Sequence, residues 1–166
     1  MRPSSDEDLQ IVHTRADHVI LGSPRLFISI HHGPATLASV AAESNYARTR
    51  MSREPASVGC LVVLGGDTTP PDGEVRAVMP RLFSDIAPGS AGLAMVIEGG
   101  GFRVAALRAA FAGLRMIGKI TYPTAVFNSA AEALAWLCPR VGLDTGAMTR
   151  RLAARRAEVN MTEPAK

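Results

Sequence analysis

Nowhere in this chain of 166 residues do apolar side chains run on for the roughly 18 positions that a membrane-crossing helix needs. Cysteine is nearly absent. Cys60 and Cys138 are the only two, they form neither a CxxC pair nor a disulfide framework, and inert, partly buried thiols are the expectation. Aromatic residues make up only 5%, with one tryptophan. The sequence also lacks the short motifs that announce common chemistries. No GxSxG elbow, HExxH helix or DxDxG loop occurs, and no GxGxxG or GxxxxGK[ST] stands in register with a strand and helix. Catalysis is therefore unsupported by motif, and no cofactor is expected.

What is present is a globular composition, 47% hydrophobic and 20% charged. The net charge of +3 is unevenly placed. Residues 1–139 carry twelve basic and twelve acidic groups, which cancel. Residues 140–166 carry Arg140, Arg150, Arg151, Arg155, Arg156 and Lys166 against Asp144, Glu158 and Glu163. The excess sits entirely in that tail, so it is not evidence for a basic nucleic-acid-binding face on the main domain, and no nucleic-acid partner is expected. The opening residues are acidic and lack an apolar leader, which makes the cytoplasm the expected location.

Hydrophobic patterning organises the chain into a polar arm (1–16), an α/β domain (17–139) and a basic helical tail (140–166). Residues 18–21 and 26–31 read as two strands joined by a turn containing Gly22 and Pro24. Thr36 can cap a helix to about Arg53 whose buried side is expected to carry Leu37, Val40, Ala41, Ser44, Ala47 and Met51. Residues 58–64 and 91–97 are uninterrupted apolar runs, suited to central strands covered on both faces. A helix from about Gly73 to Ile86 lies between them, with Pro80 expected to start, kink or interrupt it. Val104, Leu107, Phe111, Leu114 and Gly118 repeat at helical spacing over 102–118. A last strand at 124–127 precedes Ser129 and Glu132, a capping box opening a helix anchored by Trp136 and Leu137 and stopped by Pro139. Asp144 or Thr145 caps a final basic helix. The order β-β-α-β-α-β-α-β-α argues for a mostly parallel or mixed sheet of about five strands with flanking helices.

Residues 122–137, YPTAVFNSAAEALAWL, resemble the closing strand and helix of STAS-like domains, including the SpoIIAA-like group. With the element order, the resemblance covers residues 18–138. It implies a non-catalytic regulatory domain acting through a protein partner, as anti-sigma-factor antagonists do, with the partner contacted after the third strand. The resemblance also implies a phosphorylated Ser or Thr at the start of the second helix. The corresponding residues are Asp67, Thr68 and Thr69, and the sequence departs from the family by placing Pro70 and Pro71 where its glycine belongs.

Three places invite a site. A phosphate on Thr68 or Thr69 would sit near a helix N-terminus, although a proline-stiffened turn is the preferred reading. Glu98, Gly99, Gly100, Gly101 and Arg103 join a strand to a helix and form the expected cleft if a small ligand binds, since ligands of parallel sheets gather at that end. A plain glycine turn is again preferred. His13, His18, His31 and His32 cluster around the first hairpin, with His18 expected near His31's cross-strand partner. Because no carboxylate or thiol joins them in sequence, surface or edge histidines are expected and no metal. The tail's arginines suit an acidic partner, and the tail is expected to be separable from folding. The reading is thus a STAS-like interaction domain, with a homo-oligomer left open. The alternatives are a small-molecule or lipid-binding module with a cleft at the strand ends, and an enzyme at the same place.

Overall fold

The computed structural model describes residues 8–53 and 57–162. The first seven residues of the expected arm and the last four of the tail lie outside the described residues. The elements are β1 (Gln10–Arg15), β2 (His18–Gly22), β3 (Leu26–His31), α1 (Leu37–Met51), β4 (Val58–Leu64), α2 (Gly73–Ile86), a 3₁₀ turn (Ala87–Gly89), β5 (Ser90–Ile97), α3 (Gly101–Ile117), β6 (Thr124–Phe127), α4 (Ala130–Val141) and α5 (Thr145–Thr162).

All six strands join one mixed sheet in sequential order, β1 to β6. The first three form an antiparallel meander, and β3 to β6 run parallel. The α/β class holds, but the strand count is six rather than about five. The extra strand is β1, which lies within the stretch expected to be a loose arm. Its Ile11 and Val12 are 43% and 46% exposed, so backbone pairing with β2 recruits it more than burial does. The two apolar runs, β4 and β5, are interior strands paired on both sides, as their composition demands.

Side chains alternate faces along each strand, and each face supports its own core. Leu26, Ile28 and Ile30 of β3 join Leu61 and Val63 of β4 beneath α4 and α5. Phe27 of β3 and Cys60 of β4 join the opposite core, beneath α1, α2 and α3. The layering follows from connectivity. The three β-α-β crossovers put α1 to α3 on one face, and α4 and α5 cover the other.

α4 comes very close to the sheet. A Cβ on Gly59 would stand 2.7 Å from Leu137 Cγ, so the glycine lets the helix seat. Pro139 does not stop α4, which continues to Val141 and ends on Gly142 in the left-handed conformation (φ 69°). Ser129 accepts from the Glu132 amide, while Glu132 reaches back to the Asn128 amide rather than to Ser129's own. Pro80 sits inside an unbroken α2.

Residues 140–166, expected to be separable, contribute to the core. Val141, Leu143, Met148, Leu152 and Val159 are buried with the α4 face of the sheet. Two arginines of α5 turn inward to pin it. Arg155 donates to the Leu9 carbonyl at 2.7 Å, and Arg156 grips the Glu98 carboxylate at 2.7 and 3.0 Å.

Candidate functional site

Alternation in β3 puts Phe27, Ser29 and His31 on the face toward α1, and two of those three are polar. The hairpin register then pairs His18 directly with His31. Their rings lie 4.6 Å apart at the centroids. From above, α1 lowers Glu43 onto them. The helix is turned from the expected stripe: Leu37 and Ala41 face out, while Ser39, Val40, Glu43, Ser44, Ala47 and Met51 are buried. Thr36 fixes its start, accepting from the Ser39 amide while the Ser39 hydroxyl caps the Thr36 amide in return.

The result is a buried polar constellation. His18 is fully buried and His31 and Glu43 are each 4% exposed. His31 Nε2 lies 2.8 Å from Glu43 Oε1 and His18 Nε2 lies 3.2 Å from the same oxygen. Ser29 Oγ touches all three: it donates to Glu43 Oε1 and stands 3.0 Å from His18 Nε2 and 3.2 Å from His31 Nε2. Burial alone would raise the Glu43 carboxyl. The electrostatic pull of His31 and the hydrogen bonds from His18 and His31 outweigh that, and hold the carboxyl well below the usual carboxylate range. His13, on β1, lies beside His18 with the ring centroids 5.6 Å apart and the planes tilted by 50°. Burial, then the neighbouring His18 and Arg15, push its imidazole below the ordinary value against an opposing pull from Asp17. The histidines are therefore not all surface groups: His13 and His32 are half-buried, and the other two belong to the core.

Next to this constellation a cavity lies between the sheet and α1, α2 and α3. Its volume is about 70 Å³. Phe27, Val40, Leu82, Phe83, Met95 and Phe111 supply apolar walls. His31, Glu43, Thr68 and Thr69 supply polar ones, near the end where β3 and β4 stop. Ser29 and His18 sit behind this wall and do not line it, so the serine is not presented as a nucleophile. The His31–Glu43 pair can orient or exchange a proton with whatever enters.

The residues expected at a site are distributed differently. Thr68 is buried and its hydroxyl donates to the His31 carbonyl at 3.4 Å, whereas Thr69 is exposed and lines the cavity. Asp67 is exposed. The second helix starts later than these residues, at Gly73, with Asp72 as its cap. Glu98, Gly99, Gly100, Gly101 and Arg103 do not line the cavity. Glu98 is engaged by Arg156, and Arg103 ties two loops together by donating to the carbonyls of Gly65 (3.2 Å), Thr68 (3.1 Å) and Glu98. Gly99 (φ 98°) and Gly101 (φ 76°) serve that turn. Sequence reasoning missed Glu43 and Ser29. The signal for Ser29 was the period-two placement of Ser29 and His31 on one face of a strand otherwise apolar. For Glu43 it was its place between Val40 and Ala47 on a helix of weak amphipathicity.

No family model, curated protein or solved structure matches this chain.

Proposed function

We propose that this chain is a binding domain for a small, mostly apolar molecule carrying one hydrogen-bonding head. The cavity between the sheet and α1 to α3 carries the reading. Its volume is several times the roughly 10–15 Å³ that one water requires and about half the roughly 150 Å³ of a cavity that receives benzene, so its walls must open for an aromatic ring to enter. Most of its wall offers water no partner, so filling it with apolar atoms is favoured over wetting it. The polar residues gather where β3 and β4 end, which is where ligands of parallel sheets are usually received. A head group there meets His31, Glu43 and Thr69, while the body lies against Phe27, Phe83 and Phe111.

Calorimetry with benzyl alcohol and toluene tests this. The alcohol binds more tightly than the hydrocarbon, because only it uses the polar end. Ala110→Leu fills the cavity from α3 and abolishes binding of both without lowering the melting temperature. Unchanged affinity in Ala110→Leu removes the reading.

A second reading keeps the STAS-like role, in which the chain acts through a protein partner. The 65–71 loop supports it: Thr69 and Pro71 face the cavity, and Thr69 is also exposed to a partner. Occupancy would then be reported on the outer surface. Amide exchange in residues 65–71 slows on ligand addition under this reading, and unaltered exchange there removes it.

A further inference from the structure

We propose that His18, His31, Glu43 and Ser29 form a site for a divalent first-row transition-metal ion, with zinc the first to test. The argument begins with protons. Five close contacts link the four inward atoms, His18 Nε2, His31 Nε2, Ser29 Oγ and Glu43 Oε1. Two neutral imidazoles and one hydroxyl bring at most three hydrogens to that centre, and the carboxylate brings none. Protonating either ring does not help, because the added hydrogen sits on Nδ1, which on both histidines is buried and has no hydrogen-bond partner among the described residues. At least two of the five contacts therefore lack a hydrogen of their own, and sharing one between contacts weakens both. One cation at the centre resolves the shortage, since all four atoms then offer it a lone pair.

Donor chemistry and spacing agree with this. The donor atoms of His18, His31 and Glu43 lie within 4.8 Å of one another, and all three side chains are buried. Two imidazole nitrogens with a carboxylate are a zinc donor set, and imidazole suits first-row metals rather than calcium or magnesium. In a tetrahedral site with bonds of about 2.0–2.2 Å, neighbouring ligand atoms stand about 3.3–3.6 Å apart. The histidine contacts here run from 2.8 to 3.2 Å and the Ser29–Glu43 contact is shorter, so the histidine contacts must open by a few tenths of an ångström, and Ser29 must move farther from Glu43, to admit the ion. Ser29 Oγ, touching the other three, takes the fourth corner. An acceptor at Nδ1 usually fixes ring orientation in such sites. Here packing does, with the rings of His18 and His31 stacked 4.6 Å apart. The donors come from β2, β3 and α1, so the ion would join the meander to the first helix. His31 and Glu43 also line the cavity, which gives the ion a way in. The site stands whether or not the cavity takes an organic ligand.

The test uses the full chain, stripped with a chelator, exchanged into metal-free buffer and titrated with zinc chloride, with metal analysis after desalting. Wild type retains one zinc per chain and melts at a higher temperature. Glu43→Gln and His31→Gln lose affinity by more than about 100-fold, beyond the 10–100-fold typical of a lost outer-shell partner. His13→Gln, one strand away, binds as wild type does. Cobalt chloride added to wild type gives the intense visible bands of a four-coordinate site, a readout that survives if the variants fail to fold. A chain that retains no zinc, a cobalt spectrum like that of the hydrated ion, or unchanged affinity in Glu43→Gln overturns the assignment.

Discussion

Replacing Glu43 by alanine removes the one formal charge the constellation can hold on α1, and the consequence can be worked from its contacts. Ser29 and His31 each lose their acceptor, and His18 loses a neighbour at 3.2 Å. Leaving a buried donor without its acceptor costs about 1–3 kcal/mol, so losing the acceptor of both Ser29 and His31 costs about 2–6 kcal/mol. For a chain of this length each kcal/mol moves the melting temperature by about 2–4 °C, which places the loss at roughly 4–24 °C. Glu43→Gln keeps an acceptor oxygen and costs less, about 1–3 kcal/mol. Differential scanning calorimetry on metal-free protein measures both. A cycle with His31→Leu then isolates the pair, and a coupling of about 0.5–3 kcal/mol is expected for residues in direct contact. Strict additivity, or a Glu43→Ala variant melting within a degree or two of wild type, would show that the carboxylate is not held as described.

Deleting residues 140–166 removes Val141, Leu143, Met148, Leu152 and Val159 from one core and leaves Glu98 without Arg156. The truncated chain is expected to lose cooperative unfolding in urea, and a sharp two-state transition would contradict the packing of α5. Leu137→Ala, at a fully buried position over Gly59, costs about 2–5 kcal/mol, read as a shift in the urea midpoint. Burial pushes the Cys60 thiol up to about 12 and the Cys138 thiol up to about 11, against weaker opposing hydrogen bonds from Ser90 and Thr145. Neither therefore reacts with iodoacetamide at pH 8 in the folded chain, and both react in urea. Rapid labelling of the native protein would refute their burial.

Much of the frame was legible because apolar pattern and burial coincide. β4, β5, α3 and α4 each carry an uninterrupted run or a clear helical stripe. The failures occurred where the two part company. β1 is an edge strand with half-exposed Ile11 and Val12, so little in its composition distinguishes it from a polar arm. α5 looks like a solvated tail by charge, yet Met148, Leu152 and Val159 form a stripe beneath those arginines. The expected buried stripe of α1 does not include Glu43, since an isolated carboxylate ordinarily faces solvent. What turns it inward is a pair of histidines brought together by a register that only the folded hairpin sets. The cavity had no sequence signal at all, since it is space that three helices and a sheet fail to fill.

Methionine methyl groups offer the most direct test that this space receives a ligand. Met79 and Met95 line the cavity, Met148 is buried on the opposite face of the sheet, and Met116 is 82% exposed. A carbon–proton spectrum of methyl-labelled full chain, recorded while benzyl alcohol is added, reports all four at once. Saturable shifts of Met79 and Met95, with Met148 and Met116 unmoved and Ala110→Leu unresponsive, are the result expected. Shifts confined to Met116, or none at Met79 and Met95 up to the solubility of the alcohol, would contradict the proposal that this domain binds small apolar molecules.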